Sequence, residues 1–428
     1  MFEDLSRRNF FRNTAGVAIA TGPAVISALG QNNKINLGVI GGGGRGNYLM
    51  DMMYLAKPEN VAITWVCDTY KGNLNRAKDK VQTKEGHTPK AVADYQEILA
   101  DKSVDAVIIA TPEHLHYPMA MAALKAGKNI YLEKPIAHTI EEGAEIVKFA
   151  QRAGKVVQVG TQNRSNTLYI EAKRMVKEGL IGECHYVRAF WYRNFLPTNP
   201  VPAAWRYVIP PDASPETADF GRFLGGATKR PFDKGRYFQW RNYWDYSGGI
   251  STDLLVHQTD ISNFVLGKTV PRTCMASGGI YQWGAPDDRE VPDTLSAIYE
   301  YTDKFHLNYS CFFGNEWAGY GEQFMGQEGT IEVLNRQNLR FYPEKFAGKP
   351  PARVAARKEL AIDKPGNDNL AVQAHVMNWL DAIRGKGKQI APPEVGQIAA
   401  IPGHMATLSY RRDKKIYWDE KTEKYRFT

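Results

Sequence analysis

Beyond residue 33 the chain alternates short apolar runs with stretches of helical spacing, and later changes rhythm. Residues 34–40 (KINLGVI) and 61–67 (VAITWVC) read as buried strands, and 105–110 and 129–132 repeat the signal. Between them, Leu49, Met52, Met53 and Leu55 recur at helical spacing over 47–56, with further helices predicted over 74–81, 95–100 and 118–126. Alternating strands and helices predict a parallel, doubly wound sheet covered on both faces. A helix over 168–178 follows. The period then falls to two over 185–192, 273–283, 294–301, 304–312, 329–333 and 339–342. That pattern predicts a large, mostly antiparallel sheet with one face buried. Residues 369–384 (NLAVQAHVMNWLDAIR) read as a long amphipathic helix returning toward the first unit. The expected organisation is an α/β domain over 31–160 and an α+β domain over 161–428.

Composition narrows the class. At 428 residues, 43% hydrophobic and 23% charged, the chain is ordinary globular material, not collagen-like, disordered or coiled-coil. Its four cysteines, Cys67, Cys184, Cys274 and Cys311, are far apart and form no CxxC, which excludes a zinc finger or disulfide framework and predicts no metal site. The net charge of +8 is dispersed rather than clustered, so nucleic acid is not an expected partner.

Residues 1–30 read as a targeting segment. Arg7-Arg8, then Phe10 and Arg12, precede an uncharged Ala- and Gly-rich stretch over 13–29. This is similar to a twin-arginine export signal, with Ala28-Leu29-Gly30 offering small residues for cleavage. Gly16, Gly22 and Pro23 interrupt the apolar stretch, so no stable membrane insertion is expected. The resemblance implies recognition by the twin-arginine machinery, a periplasmic destination, and a ligand taken up tightly before export.

The first strand runs into Gly41-Gly42-Gly43-Gly44-Arg45-Gly46, where Gly41, Gly43 and Gly46 fill a G-x-G-x-x-G pattern at a strand-to-helix turn. Such a turn lets main chain approach a pyrophosphate that faces a helix N-terminus. The second strand ends at Asp68, placed to accept hydrogen bonds from ribose hydroxyls and to repel a 2′-phosphate, which favours NAD over NADP.

Three further segments add chemistry: Thr111-Pro112-Glu113-His114-Leu115-His116, Glu133-Lys134-Pro135, and the run from Gly248-Gly249 through Asp253 and His257 to Asp260. With the glycine loop, these resemble the glucose–fructose oxidoreductase / inositol dehydrogenase (Gfo/Idh/MocA) family over about 35–419. Phe220-Gly221-Arg222-Phe223-Leu224-Gly225 and Trp240-Arg241 are similar to its exported, sugar-processing subset. The resemblance implies an NAD-dependent oxidoreductase acting on a hydroxyl of a sugar or cyclitol, with Lys134, Asp253 and His257 as catalytic residues and a homodimer or homotetramer as the assembly. A glycoside hydrolase of the family-109 kind, using transient oxidation and elimination, is the alternative.

The residues support that chemistry on their own terms. A lysine at the C-terminal end of a parallel strand points into the ligand crevice, and Pro135 restricts its backbone. Asp253 and His257, four apart, share a helix face and can relay a proton. Cofactor contacts are expected from Gly41, Gly43, Gly44, Arg45, Gly46, Asp68, Thr111, Pro112, Glu133 and Lys134, and the family resemblance implies a further one from Gln162. His116 serves either the nicotinamide side or packing. Substrate contacts are expected from Arg193, Trp240, Arg241, Asp253 and His257, and the family resemblance implies a further one from Arg164. Trp205 and Trp244, with Trp240, either offer flat faces to a pyranose or simply pack. Asp260 reads as a surface charge or an interface partner, and His375 as structural.

Overall fold

The computed structural model describes residues 34–195, 205, 207–284, 287–363 and 369–428, so residues 1–30, with the resemblance to a twin-arginine signal expected there, lie outside the described residues. Residues 34–428 form one compact unit.

The first half runs β1 (Ile35–Ile40), α1 (Gly44–Ala56), β2 (Val61–Cys67), α2 (Lys71–Glu85), β3 (Lys90–Val92), α3 (Tyr95–Ala100) and β4 (Ala106–Ile109). It continues with α4 (His116–Lys125), β5 (Asn129–Leu132), α5 (Ile140–Ala153) and β6 (Val157–Val159). The six strands lie in the order β3-β2-β1-β4-β5-β6, all parallel. The order reverses beside β1, so the crevice beyond the strand ends opens between β1 and β4.

The second half begins with α6 (Thr167–Lys177) and β7 (Cys184–Asn194), then two short helices, α7 (Phe220–Leu224) and α8 (Lys234–Phe238), and α9 (Val256–Leu266). Strands β8 (Thr273–Gly279), β9 (Thr294–Glu300), β10 (His306–Phe312), β11 (Gly314–Gly326), β12 (Gly329–Leu334), β13 (Asn338–Pro343) and β14 (Leu360–Asp363) follow. A helical turn, α10 (Ala352–Ala355), precedes β14, and the chain closes with α11 (Asn369–Ile383), α12 (Pro393–Arg412), β15 (Ile416–Asp419) and β16 (Lys424–Phe427). Ten strands form one sheet, antiparallel except for the β7–β10 pair.

Alternation decides which face is covered. In β9, Leu295, Ala297 and Tyr299 are buried while Ser296 and Ile298 face out. The inner face joins Val187, Leu307, Ile331 and Phe341 to residues of α6, α9 and α12 in one core. Helix α11 returns as its amphipathic pattern predicts: Val372, Val376, Trp379 and Leu380 pack with Val39 of β1 and with Leu49 and Met53 of α1.

The aromatic segment before α9, irregular in sequence, has a definite place. An isolated bridge joins Tyr70 to Ala218, with Lys71 N–H on Thr217 O at 2.9 Å and Asp219 N–H on Thr69 O at 2.8 Å. Tyr70, Phe220, Phe223, Tyr237, Tyr243 and Tyr246 form a separate apolar cluster. Residues 207–246 therefore strap the end of β2.

Candidate active site

One cleft of about 1280 Å³ runs along the ends of β1, β2, β4 and β5 and under the strap. At the glycine loop, steric requirements differ from position to position. A Cβ on Gly41, whose φ is +94°, would lie 2.6 Å from Ala110 O, and one on Gly46 would lie 1.8 Å from Gly41 O. These two glycines are needed by the fold. Gly43 and Gly44 instead open onto the cleft, where a Cβ would meet only Asn73 Nδ2 at 3.5 Å or nothing within 4 Å. Helix α1 starts there with no side-chain cap and no acidic residue in its first turn. Its first N–H groups thus favour an anion. Asp68 lines the same wall, accepting from Tyr70 N at 2.8 Å and Asn73 Nδ2 at 3.3 Å. Burial pushes its carboxyl up to about 6, against those donors and Arg76. Open glycines, an uncapped helix start and an acid at the end of β2 fit a dinucleotide.

Further along, Arg45 Nε donates to Glu133 at 2.7 Å and Arg45 Nη2 to Gln162 Oε1 at 3.3 Å, all three lining the cleft. Thr111 and Pro112 line it too. His116 both lines the cleft and packs, its ring nitrogens 2.7 Å from Pro135 O and 2.9 Å from Thr111 O. It ties the segment after β4 to the segment after β5.

The proposed acid–base groups converge on this cleft. Lys134, joined to Pro135 by a cis peptide, directs Nζ to Asp253 Oδ1 and Asp253 O, both at 2.7 Å. Arg241 Nε reaches the same carboxylate at 3.3 Å, and its guanidinium stacks on Trp240 at 4.2 Å. Burial would raise the Asp253 carboxyl, but Lys134 and Arg241 overcome it and hold the group below the usual carboxylate range. Burial, then Lys134 and Arg336, drive His257 well below the usual histidine value. The ring is neutral, tilts over Trp191 at 5.9 Å, and leaves a buried Nδ1 without a hydrogen-bond partner among the described residues.

Asp253 lies in a π-helical turn, Ser251–Leu255, that runs into α9, rather than in the regular helix expected from the spacing. Such turns recur at functional sites because they re-aim side chains. Asp253 and His257 still face the same cleft.

Other expectations are corrected. Arg164 does not reach the cleft: its guanidinium is committed to Asp260, with Nη2 at 2.7 Å and Nε at 2.8 Å. Asp260 is consequently no surface charge but a buried partner. Arg193 also lies off the cleft, stacked on Tyr320 at 4.8 Å and Trp191 at 5.3 Å. Gly46 serves the turn rather than the cleft wall. Of the three tryptophans only Trp240 lines the cleft; Trp205 packs on Phe313, and Trp244 lies against Tyr410 and Arg411. His375 is structural, bonded to Val159 O and Ser165 Oγ. Sequence reasoning missed Glu113, a buried carboxylate on the cleft wall, although it stands inside the noted Thr-Pro-Glu-His turn. It also missed Tyr207, whose hydroxyl lies 3.4 Å from Arg241 Nη1.

Comparison with known proteins agrees with this geometry. Residues 35–161 match the model "Oxidoreductase family, NAD-binding Rossmann fold", and 224–417 match that family's C-terminal alpha/beta domain, as 165–276 match a second form of it. The chain is 27% identical over 259 residues to a 1,5-anhydro-D-fructose reductase of Ensifer adhaerens, covering 58% of this chain and 66% of that protein. It is 27% identical over 240 residues to the scyllo-inositol 2-dehydrogenase (NAD(+)) of Bacillus subtilis, covering 56% of each. A Shewanella baltica glycosyl hydrolase family 109 protein is 28% identical over 206 residues, covering 42% of this chain and 44% of that one. The match thus spans about half to two thirds of these relatives. Levoglucosan dehydrogenase in complex with NADH and levoglucosan shares the fold, with a TM-score of 0.68 at 18% identity over 89% of this chain and 98% of that one. The chain belongs to the Gfo/Idh/MocA oxidoreductase family.

Proposed function

We propose that the protein is an exported NAD-dependent oxidoreductase that oxidises a hydroxyl of a sugar or cyclitol on a cofactor it retains. The observation that carries this reading is the meeting of Lys134, Asp253 and His257 in the cleft that holds the open glycines and Asp68. When bound, NAD supplies the hydride acceptor. The chain supplies the proton chemistry and the positioning. Asp253 holds two of the three N–H groups of Lys134, leaving the third for the oxygen of a substrate hydroxyl. His257, neutral and beside it, accepts the hydroxyl proton. Trp240 and Arg241 give the sugar a flat face and a donor.

The strap supports retention. Tyr207, Pro210, Asp212, Phe223 and Tyr237 cover the cleft beside Asp68, fastened by the Tyr70 hydroxyl on Asp212 at 2.6 Å and by Thr69 on Tyr237 at 2.5 Å. A cofactor that stays bound suits export of the folded protein by the twin-arginine route and a redox cycle that closes on itself. The same property favours a second reading, in which transient oxidation beside a glycosidic bond allows elimination, water addition and re-reduction. Exposed Met275, Ile298 and Tyr342 on the outer sheet face support self-association.

The purified protein is expected to carry NAD(H) through desalting. Nitrophenyl glycosides and free sugars, each with and without an acceptor sugar, separate the readings: nitrophenol release without net NADH marks the hydrolase, and net or exchanged redox chemistry marks the oxidoreductase. Protein that binds no NAD(H) rules out both.

A further inference from the structure

We propose that Glu113 is a positioning residue, a carboxylate that fixes the start of the Asp253–His257 helix against the cofactor wall. The inference rests on the proton roles given above to Lys134, Asp253 and His257. Glu113 follows β4 in the turn Glu113–Leu115 and is 2% exposed. Its Oε1 accepts from Ser247 Oγ and Thr252 Oγ1, each at 3.0 Å, and its Oε2 from Gly248 N at 3.0 Å and Thr252 Oγ1 at 2.8 Å. Every one of these donors lies in 247–252, immediately before Asp253.

The chemistry of the donors explains the residue type. A carboxylate accepts at both oxygens and donates at neither, so three donors, one of them shared between its oxygens, suit it, whereas an amide would turn an N–H against one of them. Among the described residues it pairs with no lysine or arginine; His138 Nδ1 stands 3.9 Å away. The hydrogen bonds from 247–252 and the neighbouring His138 ring together hold the charge, keeping the carboxyl below its ordinary value despite burial. The glycines serve the same geometry: Gly249 has φ +70°, and a Cβ on Gly248 would lie 2.3 Å from Thr252 Cγ2. Glu113, Thr111 and Pro112 all line the cleft, so one side chain sets the spacing between the cofactor wall and the helix that carries the acid–base pair.

The test compares Glu113→Gln, Thr252→Val and Thr252→Ser in the full chain. Hydrogen exchange on NADH-loaded protein reads the clamp without any substrate. Glu113→Gln and Thr252→Val are expected to speed exchange over 247–257 by about tenfold or more while 41–68 keeps its wild-type rates, and Thr252→Ser to behave as wild type. Unchanged exchange over 247–257 overturns the proposal whatever the reaction proves to be. With a sugar or cyclitol that the wild type oxidises, kcat is expected to fall about 10²-fold in Glu113→Gln, with KM and the NADH Kd within about threefold. The double variant Glu113→Gln/Thr252→Val is expected to be no slower than Glu113→Gln alone, because both remove one clamp. Unchanged kcat, or loss of NADH binding together with kcat, overturns the positioning role. A wild type inactive on every sugar and glycoside sinks the proposed function instead, and exchange then decides the clamp.

Discussion

Lys134 Nζ lies 2.7 Å from both the side-chain Oδ1 and the main-chain oxygen of Asp253, so an ammonium from the end of β5 is docked on the π-turn that leads to His257. This joins the two halves of the chain across the cleft. Lys134→Ala is expected to lower turnover about 10²- to 10³-fold, the usual cost of removing a donor aimed at the reacting oxygen. Because the open glycines, the uncapped start of α1 and Asp68 remain in place, NADH binding should persist. Steady-state kinetics beside a fluorescence titration check both, and full turnover in the variant would remove Lys134 from the mechanism.

The glycine loop separates a binding glycine from a folding one. Gly43→Ala meets no clash in the structure but intrudes on the dinucleotide, so its melting temperature should stay near wild type while NADH affinity falls by about tenfold or more. Gly46→Ala drives a methyl into Gly41 O and should yield unstable or insoluble protein. Thermal melts and NADH titrations of the pair distinguish these outcomes.

Asp68 sets the expected preference for NAD. Arg76 lies nearby, its Nη2 2.6 Å from Asn73 Oδ1. Asp68→Ser should therefore remove the repulsion and leave a guanidinium for a 2′-phosphate. The ratio of NAD to NADP affinities, measured by titration, should move toward parity; an unchanged ratio would place the discrimination elsewhere.

The strap predicts slow cofactor release. Tyr70→Phe and Tyr237→Phe delete the two hydroxyl contacts that fasten it, each contributing about 1 kcal/mol or more. Together they should speed NADH dissociation by about tenfold or more, read by competitive displacement in stopped flow.

Buried histidines predict the pH dependence of stability. Burial pushes His375 and His404 down to about 4 and His114 to about 3, and holds His116 and His257 below the ordinary value. Between about pH 6.5 and 4 the unfolded chain binds protons that the folded rings refuse. The histidine contribution to stability is therefore fully present above pH 6.5 and is lost as the pH falls, each ring by on the order of 1.4 kcal/mol per pH unit within its window, while the buried carboxyls of Asp68 and Glu322, pushed up to about 6 and about 8, oppose it in part. Urea midpoints should be clearly lower at pH 5 than at pH 7; equal midpoints would contradict this.

Strand-end chemistry was legible in the sequence because local pattern places it. The strand ending at Cys67 delivers Asp68, and the one ending at Leu132 delivers Glu133 and Lys134. Long-range pairing was not legible. The partner that occupies Arg164 lies 96 residues away, and the donors to Glu113 lie at least 134 away. Two elements escaped the periodicity for a packing reason. Strand β11 carries Gly314, Gly319, Gly321 and Gly326 and a left-handed Ala318, which break its alternation. Helix α12 contains Gly396, Pro402 and Gly403, and each glycine stands where a Cβ would strike Val159 or Ser251 O. Close approach, rather than helix preference, selected those residues.

The return of α11 has a consequence for how this architecture can be cut. Trp379 and its neighbours plug one face of a sheet whose strands all precede residue 160. A fragment ending near that position would expose Val39, Leu49 and Met53 to water and invite aggregation. Swapping coenzyme modules between relatives therefore requires transplanting two separated stretches, the early strands and this late plug, as a matched set.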